Sequence, residues 1–240
     1  MTLKIANNDN NIKDEIQNGK FNLDLSDHIL HLKSFIDKDV CLSVMNSLDN
    51  LERDKSAPYT DGLLNDDADT YFDPDIKHIN EVRNRIFVDG LEEYAKKVRA
   101  FNWSYYDTKS FHCSEMIIRR YNQGSEFKYH HDDIIGEIFP HWFLRRQNIL
   151  TCNFYFSDAK DYDGGDLVFT CGKTFHPSMG DIIIFPSNWM FYHEVQKTTK
   201  GKRYSGTVWL YYGSSKRMPN AKSKEWTCLL YTSPSPRDRG

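Results

Sequence analysis

The chain has 240 residues, with 31 Lys and Arg against 34 Asp and Glu, a formal charge of −3 at neutral pH. Hydrophobic residues make up 39% and charged residues 27%, which suits one sizeable globular core and gives no electrostatic reason to expect a nucleic-acid surface. No apolar run reaches membrane-span length, and no basic stretch leads into an apolar core at the N-terminus, so the expected setting is a reducing cytoplasm.

Residues 1–27 form a polar, Asn/Asp-rich lead-in. Ile29 to Ile36 suits a short strand, and Asp37 or Asp39 could cap a helix through about Leu51, with Cys41, Val44, Met45 and Leu48 on one face. Residues 52–74 are charged and turn-rich and read as a surface loop. The spacing of Ile76, Ile79, Val82, Ile86, Leu91, Tyr94, Val98 and Phe101 predicts a long helix from Pro74 or Asp75 to Phe101, interrupted at Gly90. Its basic run Lys96-Lys97-Val98-Arg99 reads as a solvated face.

Past Phe101 the pattern changes to short apolar or aromatic runs. These are Glu115–Tyr121, Asn148–Phe156, Leu167–Cys171, Ile182–Phe185, Phe191–Gln196 and Tyr204–Tyr212, with turn signals at Gly164-Gly165, Pro177 and Gly180-Asp181. Such spacing predicts a β-sandwich or barrel, and the absence of βαβ alternation and of glycine-rich phosphate motifs argues against nucleotide-binding α/β folds. Five cysteines show no CxxC pair; Cys152 and Cys171, in apolar runs, are expected as buried thiols. The end of the chain, CLLYTSPSPRDRG, changes style abruptly and resembles translated sequencing-adapter or vector sequence, so residues 227–240 are set apart from the fold reading.

Tyr129-His130-His131-Asp132-Asp133 offers two H-x-D pairs, His130 with Asp132 or His131 with Asp133. In a strand, residues i and i+2 share a face, so either pair could present an imidazole and a carboxylate to one metal. A third ligand would complete the two-His, one-carboxylate set of non-heme Fe(II) oxygenases. His193, in the apolar run Phe191–Val195, is the strongest candidate, ahead of His112, His176 and His141; alone it reads more readily as a satisfied core histidine. Arg203 follows ten residues later. If Gln196–Lys202 is a hairpin turn, Arg203 can approach His193 and grip a carboxylate, with Tyr121 adding a phenolic hydrogen bond.

These residues carry a resemblance to the Fe(II)/2-oxoglutarate-dependent dioxygenases, specifically the prolyl 4-hydroxylase-like branch. Tyr121-Asn-Gln-Gly124-Ser-Glu-Phe127-Lys-Tyr-His130-His-Asp132 resembles that branch's Y-x-x-G-x-x-[YF]-x-x-H-x-D strand, which selects the His130/Asp132 register. Thr151 to Asp158, Gly164 to Phe169, Gly180-Asp181 to Ser187, His193-Glu-Val and Gly201-Lys-Arg203-Tyr-Ser205 with Trp209 resemble its later segments. The resemblance implies a mainly β double-stranded β-helix, or distorted jelly roll, spanning residues 112–212. A helical front at 28–101 would support it within one domain of residues 28–226. It implies Fe(II) held by His130, Asp132 and His193, and 2-oxoglutarate held by Arg203 and Tyr121 with Thr151 and Trp209 in the pocket. O2 as co-substrate and ascorbate binding are also implied. The implied reaction is hydroxylation of a C–H bond with release of succinate and CO2, foremost on a peptidyl proline, otherwise on a free amino acid or other small molecule. A catalytically silent jelly-roll binding module and zinc-dependent hydrolysis are the readings from other classes; the co-substrate Arg and Tyr weigh against both. The apolar stretch Asp133–Gln147 suits a substrate lid or wall and equally packing against the barrel, and residues 52–73 could form another lid.

Overall fold

The computed structural model describes residues 24–52, 63–65, 67–98, 111–133 and 146–213. The tail after residue 226, most of the 133–147 stretch, His141 and Phe101 lie outside these described residues.

The front of the chain begins with strand β1 (Leu30–Leu32) and helix α1 (Lys38–Asp49). Cys41, Val44 and Leu48 recur at helical spacing and are all buried. Asp37 stands at the N-cap without capping the backbone; its carboxylate instead meets Arg85 at 3.0 Å. The expected loop at 52–74 is corrected by strand β2 (Ala68–Phe72), which has four buried residues. Its polarity disguised it: Asp69 is tolerable in a strand because Arg120 pairs with it across to the neighbouring strand.

The expected helix from residue 74 or 75 starts later, at α2 (Ile79–Arg85), and reaches α3 (Leu91–Lys97) through one wide π turn at Ile86–Gly90. The residue before α2, His78, has a left-handed backbone that an unbroken helix from residue 75 could not contain. Ile86 and Leu91 are five residues apart, a spacing that a regular α-helix would splay onto different faces. The wide turn absorbs the extra residue and keeps Ile79, Val82, Ile86, Leu91 and Tyr94 in one buried cluster.

The strands that follow are β3 (Phe111–Cys113), β4 (Ile117–Tyr121), β5 (Phe127–His130), β6 (Arg146–Tyr155), β7 (Tyr162–Gly164), β8 (Leu167–Phe169), β9 (Thr174–Phe175), β10 (Ile182–Pro186), β11 (His193–Val195), β12 (Thr198–Gly201) and β13 (Arg203–Gly213). A seven-stranded sheet runs β1-β10-β6-β13-β4-β2, with β3 also on β13. A four-stranded sheet runs β5-β11-β8-β9, and β12 pairs with β7. This is the mainly β jelly-roll, or double-stranded β-helix, architecture with helices before it.

Alternation along the large sheet divides the core. Cys152, Phe154, Ile182, Ile184, Val208 and Leu210 join the helices in one cluster, whereas Tyr121, Tyr155, Ile183 and Phe185 join Phe127, Phe169 and Val195 of the smaller sheet in a second. Gly206 is required on the helix side: a Cβ there would fall 2.0 Å from the Phe154 ring of the paired strand. The second cluster is the chamber in which the polar residues of interest sit.

Candidate active site

Pairing of β11 with β5 sets His193 directly opposite His130, with ring centroids 4.4 Å apart. Asp132 lies just past β5, so the simple strand argument for His130 and Asp132 is corrected: the strand ends at His130, and the following bend brings the carboxylate round. That bend is held by backbone and side chain together. Asp132 N–H donates to the Ser187 carbonyl at 3.1 Å, and Asn148 Nδ2 donates to the Asp132 carbonyl at 2.9 Å.

His130 Nδ1 lies 2.7 Å from the Lys128 carbonyl, and His193 Nδ1 lies 2.9 Å from the Phe191 carbonyl. A carbonyl only accepts, so both Nδ1 atoms carry the proton and both Nε2 atoms are left with a free lone pair. Those two Nε2 atoms face Asp132 at 3.6 Å and 3.8 Å. Ligand atoms of His130, Asp132 and His193 all lie within 4.8 Å of one another, and all three residues are buried. Burial above all, with the neighbouring His193 ring acting in the same direction, pushes the His130 imidazole toward its neutral form. Burial alone would raise the Asp132 carboxyl, but the His193 and His130 imidazoles and the Thr151 hydroxyl outweigh it and hold the group ionised. A neutral imidazole and an ionised carboxylate are the forms that a divalent transition metal needs.

Thr151, expected in the co-substrate pocket, sits behind the triad. Its hydroxyl donates to Asp132 Oδ2 at 2.7 Å, so its lone pair is free for the Ser187 hydroxyl at 2.9 Å. Trp209 pairs with Thr151 across β13 and β6, and its buried indole N–H lies beside the same carboxylate without reaching hydrogen-bond geometry. Phe127 stacks on His130 at 4.0 Å, while Phe169 and Phe185 flank His193 at 5.4 and 4.9 Å.

Arg203 opens β13, opposite Tyr121 of β4. The expected turn at Gln196–Lys202 is corrected, because it contains β12, which pairs with β7. Arg203 is 2% exposed, with its guanidinium 4.9 Å from the Tyr121 ring and 5.0 Å from the Tyr155 ring. Tyr121 therefore meets Arg203 with its ring face. Gly165, at φ +66°, leaves room for the arginine stem: a Cβ there would stand 3.0 Å from Arg203 Cδ. Arg203 donates to Ser205 at 3.3 Å, but its Nε has no partner, and no carboxylate pairs with it among the described residues. The Tyr155 hydroxyl is likewise buried and unpartnered. A buried cation costs several kcal/mol unless an anion meets it. The chemistry of this corner therefore matches a carboxylate ligand held by Arg203 and the Tyr155 hydroxyl. Tyr155 carried no role in the sequence reading, although it stands within the Thr151–Asp158 segment that was singled out.

The other candidates lie elsewhere. His112 stacks on Tyr211, with centroids 5.4 Å apart, and His176 bonds Asp166 and the Ala159 carbonyl. His131 turns away from the triad toward the Tyr192 ring at 5.2 Å. Cys152 is buried as expected, but Cys171 is half-exposed, because the strand stops at Phe169.

Residues 116–211 match the family model described as the 2OG-Fe(II) oxygenase superfamily. The PKHD-type hydroxylase ACIAD0531 of Acinetobacter baylyi is 28% identical over 102 residues, which cover 41% of this chain and 44% of that protein. The chain thus spans less than half the length of that curated relative. Among solved structures, the viral collagen prolyl hydroxylase of Paramecium Bursaria Chlorella virus-1 superimposes with a TM-score of 0.56 at 14% identity, over 80% of this chain and 99% of the other. A Trichoplax adhaerens prolyl hydroxylase in complex with a hypoxia inducible factor peptide fragment gives 0.52 at 15% identity, over 88% and 95%.

Proposed function

We propose that the chain is an Fe(II)- and 2-oxoglutarate-dependent dioxygenase of the prolyl-hydroxylase-like branch that hydroxylates a peptidyl proline, a reading supported by the superfamily model matching residues 116–211 and by the similarity to PKHD-type hydroxylases. The observation that carries the reading is a buried, unpaired Arg203 in the same apolar chamber as a buried His-Asp-His triad. The triad suits a metal that keeps open positions, and the arginine suits the far carboxylate of a dicarboxylic keto acid.

His130, Asp132 and His193 would hold iron. Bound there with 2-oxoglutarate and O2, the metal would supply the oxidising power to hydroxylate an unactivated C–H bond, with succinate and CO2 as the other products. The protein's own residues position and exclude. Thr151 fixes the Asp132 carboxylate, and the two backbone carbonyls fix the imidazole tautomers. Arg203 and the Tyr155 hydroxyl hold the far carboxylate, with Tyr121 walling the guanidinium. Phe127, Phe169 and Phe185 keep water from the metal face.

A peptide substrate is supported by the rim. Trp189, Met190 and Tyr192 lie in the short segment that leads into His193, and all three are exposed. Exposed aromatic faces beside a reactive centre suit proline rings and extended peptide chains.

The deciding assay is Fe(II)-dependent conversion of 2-oxoglutarate to succinate, with and without proline-rich peptides and ascorbate, beside His193→Ala. Peptide-stimulated turnover, the mass gain of one oxygen atom on the peptide, and loss of both in the variant are expected. Oxygen gained only by free amino acids would move the substrate to the small-molecule alternative. Folded, iron-loaded protein that neither binds nor turns over 2-oxoglutarate would sink the enzyme reading.

A further inference from the structure

Arg119 lies on β4 two residues before Tyr121, so the pleat turns it to the same inner wall. Register places it beside Ser205 of β13 and Thr70 of β2. Its neighbour Arg120, on the opposite face, is fully engaged: it donates to Asp69 at 2.9 and 2.8 Å and to Asp49 at 3.0 Å. Arg119 has no such partners. It is 9% exposed, its Nε is buried without a hydrogen bond, and no carboxylate pairs with it among the described residues. Its guanidinium lies 5.0 Å from the Phe127 ring, which in turn stacks on His130. One aromatic ring therefore separates an unpaired cation from a metal-ligand imidazole.

A charge inventory of the loaded chamber leaves Arg119 over. The two charges of Fe(II) and that of Arg203 balance Asp132 and the two carboxylates of 2-oxoglutarate. Nothing in that set neutralises a second guanidinium whose Nε is buried without a partner, and cation–π contact with Phe127 offsets only part of its desolvation cost. Phe127 bridges to Leu64 beyond β5, so the cation sits between the metal and the β2 side of the chamber.

We propose that Arg119 is the receptor for a carboxylate carried by the substrate that is hydroxylated, and that the substrate is therefore acidic close to its reacting carbon. This rests on the oxygenase reading above and narrows its substrate class. The carboxylate has two possible sources: an acidic side chain next to the target proline in a peptide, or the α-carboxylate of a free amino acid. Arg119 acts as a specificity residue, distinct from Arg203, which serves the co-substrate.

The protein loaded with Mn(II) and 2-oxoglutarate under anoxia is titrated calorimetrically with matched probes. These are a Glu-Pro peptide against its Gln-Pro counterpart, and free L-proline against L-prolinamide. A preference for the acidic member of one pair of about 30-fold is expected, the scale of one charge-assisted hydrogen-bond pair. Which pair shows it identifies the source. R119M should abolish the preference and R119K should retain most of it. R119E, which keeps a polar group at the position should R119M fail to fold, should turn it toward a Lys-Pro peptide. The affinity for 2-oxoglutarate itself should stay unchanged in all three. No acidic preference in either pair overturns the assignment, as does R119M weakening 2-oxoglutarate while leaving probe preference intact. Carboxylate preference in the titration, with no oxygen gained by any proline probe in the separate aerobic Fe(II) assay, would instead overturn the proline reading and leave Arg119 standing.

Discussion

At the scale of single residues, the site is set by what each polar atom lacks or holds. Thr151 spends its one proton on Asp132, so Thr151→Val should leave the carboxylate free to rotate and strand the Ser187 hydroxyl. Loss of a hydrogen bond to a metal ligand lowers metal affinity about 10- to 100-fold, which a Co(II) titration with a competing chelator would read. Arg203 is the opposite case, a buried charge without an anion. Arg203→Met should therefore leave the metal-free, co-substrate-free protein as stable as the parent or more so, while 2-oxoglutarate affinity falls about 100-fold. Thermal melts beside equilibrium binding check both halves, and equal stability loss with intact binding would contradict the role.

At the scale of elements, two contacts between distant segments hold the chamber's outer wall. β1 lies on β10, and Asp181, just before β10, locks the junction by accepting from His31 Nε2 at 2.8 Å, Ser34 N–H at 2.9 Å and Ser178 N–H at 3.1 Å. Burial alone would raise the Asp181 carboxyl, but these donors outweigh it and hold the group below its ordinary 3.8. The unfolded chain therefore takes up this proton at higher pH than the folded one. The contribution is fully present above pH 3.8 and is lost as the pH falls through the lower folded value. Asp181→Asn should cost about 2 kcal/mol near neutrality and converge with the parent in strong acid, as urea denaturation across pH would show. The second contact is Gly206 under Phe154. Gly206→Val should overpack the sheet–helix layer and cost about 3 kcal/mol, part of it recovered when Phe154 is also cut to Ala.

At the scale of the whole molecule, the triad is a long-range object. His130 ends one strand of the small sheet and Asp132 follows it, His193 comes from the neighbouring strand, and Thr151 and Arg203 come from the large sheet. Ligands that bind only this assembled form must stabilise the entire fold by mass action. Mn(II) at a hundred times its dissociation constant should add about 2.7 kcal/mol to the unfolding free energy, and 2-oxoglutarate a further increment only when metal is present. A differential melt under anoxia measures this. An equal shift by 2-oxoglutarate with and without metal would separate the Arg203 corner from the triad.

What the sequence determined by itself was local and patterned. The apolar alternation after Phe101 specified strands, the spacing of Cys41, Val44 and Leu48 specified α1, and the family resemblance carried by Tyr121–Asp132 pointed to His130 with Asp132 where the local pattern left two registers open. These were legible because hydrophobic period and short-range spacing act within one element. The tertiary structure decided what depends on partners far along the chain. Asp69 made β2 look like a loop until Arg120 neutralised it, and Tyr155 and Arg119 read as ordinary strand residues until their partners proved absent. Thr151 read as a pocket residue, and only the assembled sheet showed its hydroxyl donating to Asp132. A missing counter-ion is a property of assembled surroundings, so no pattern within a single segment encodes it.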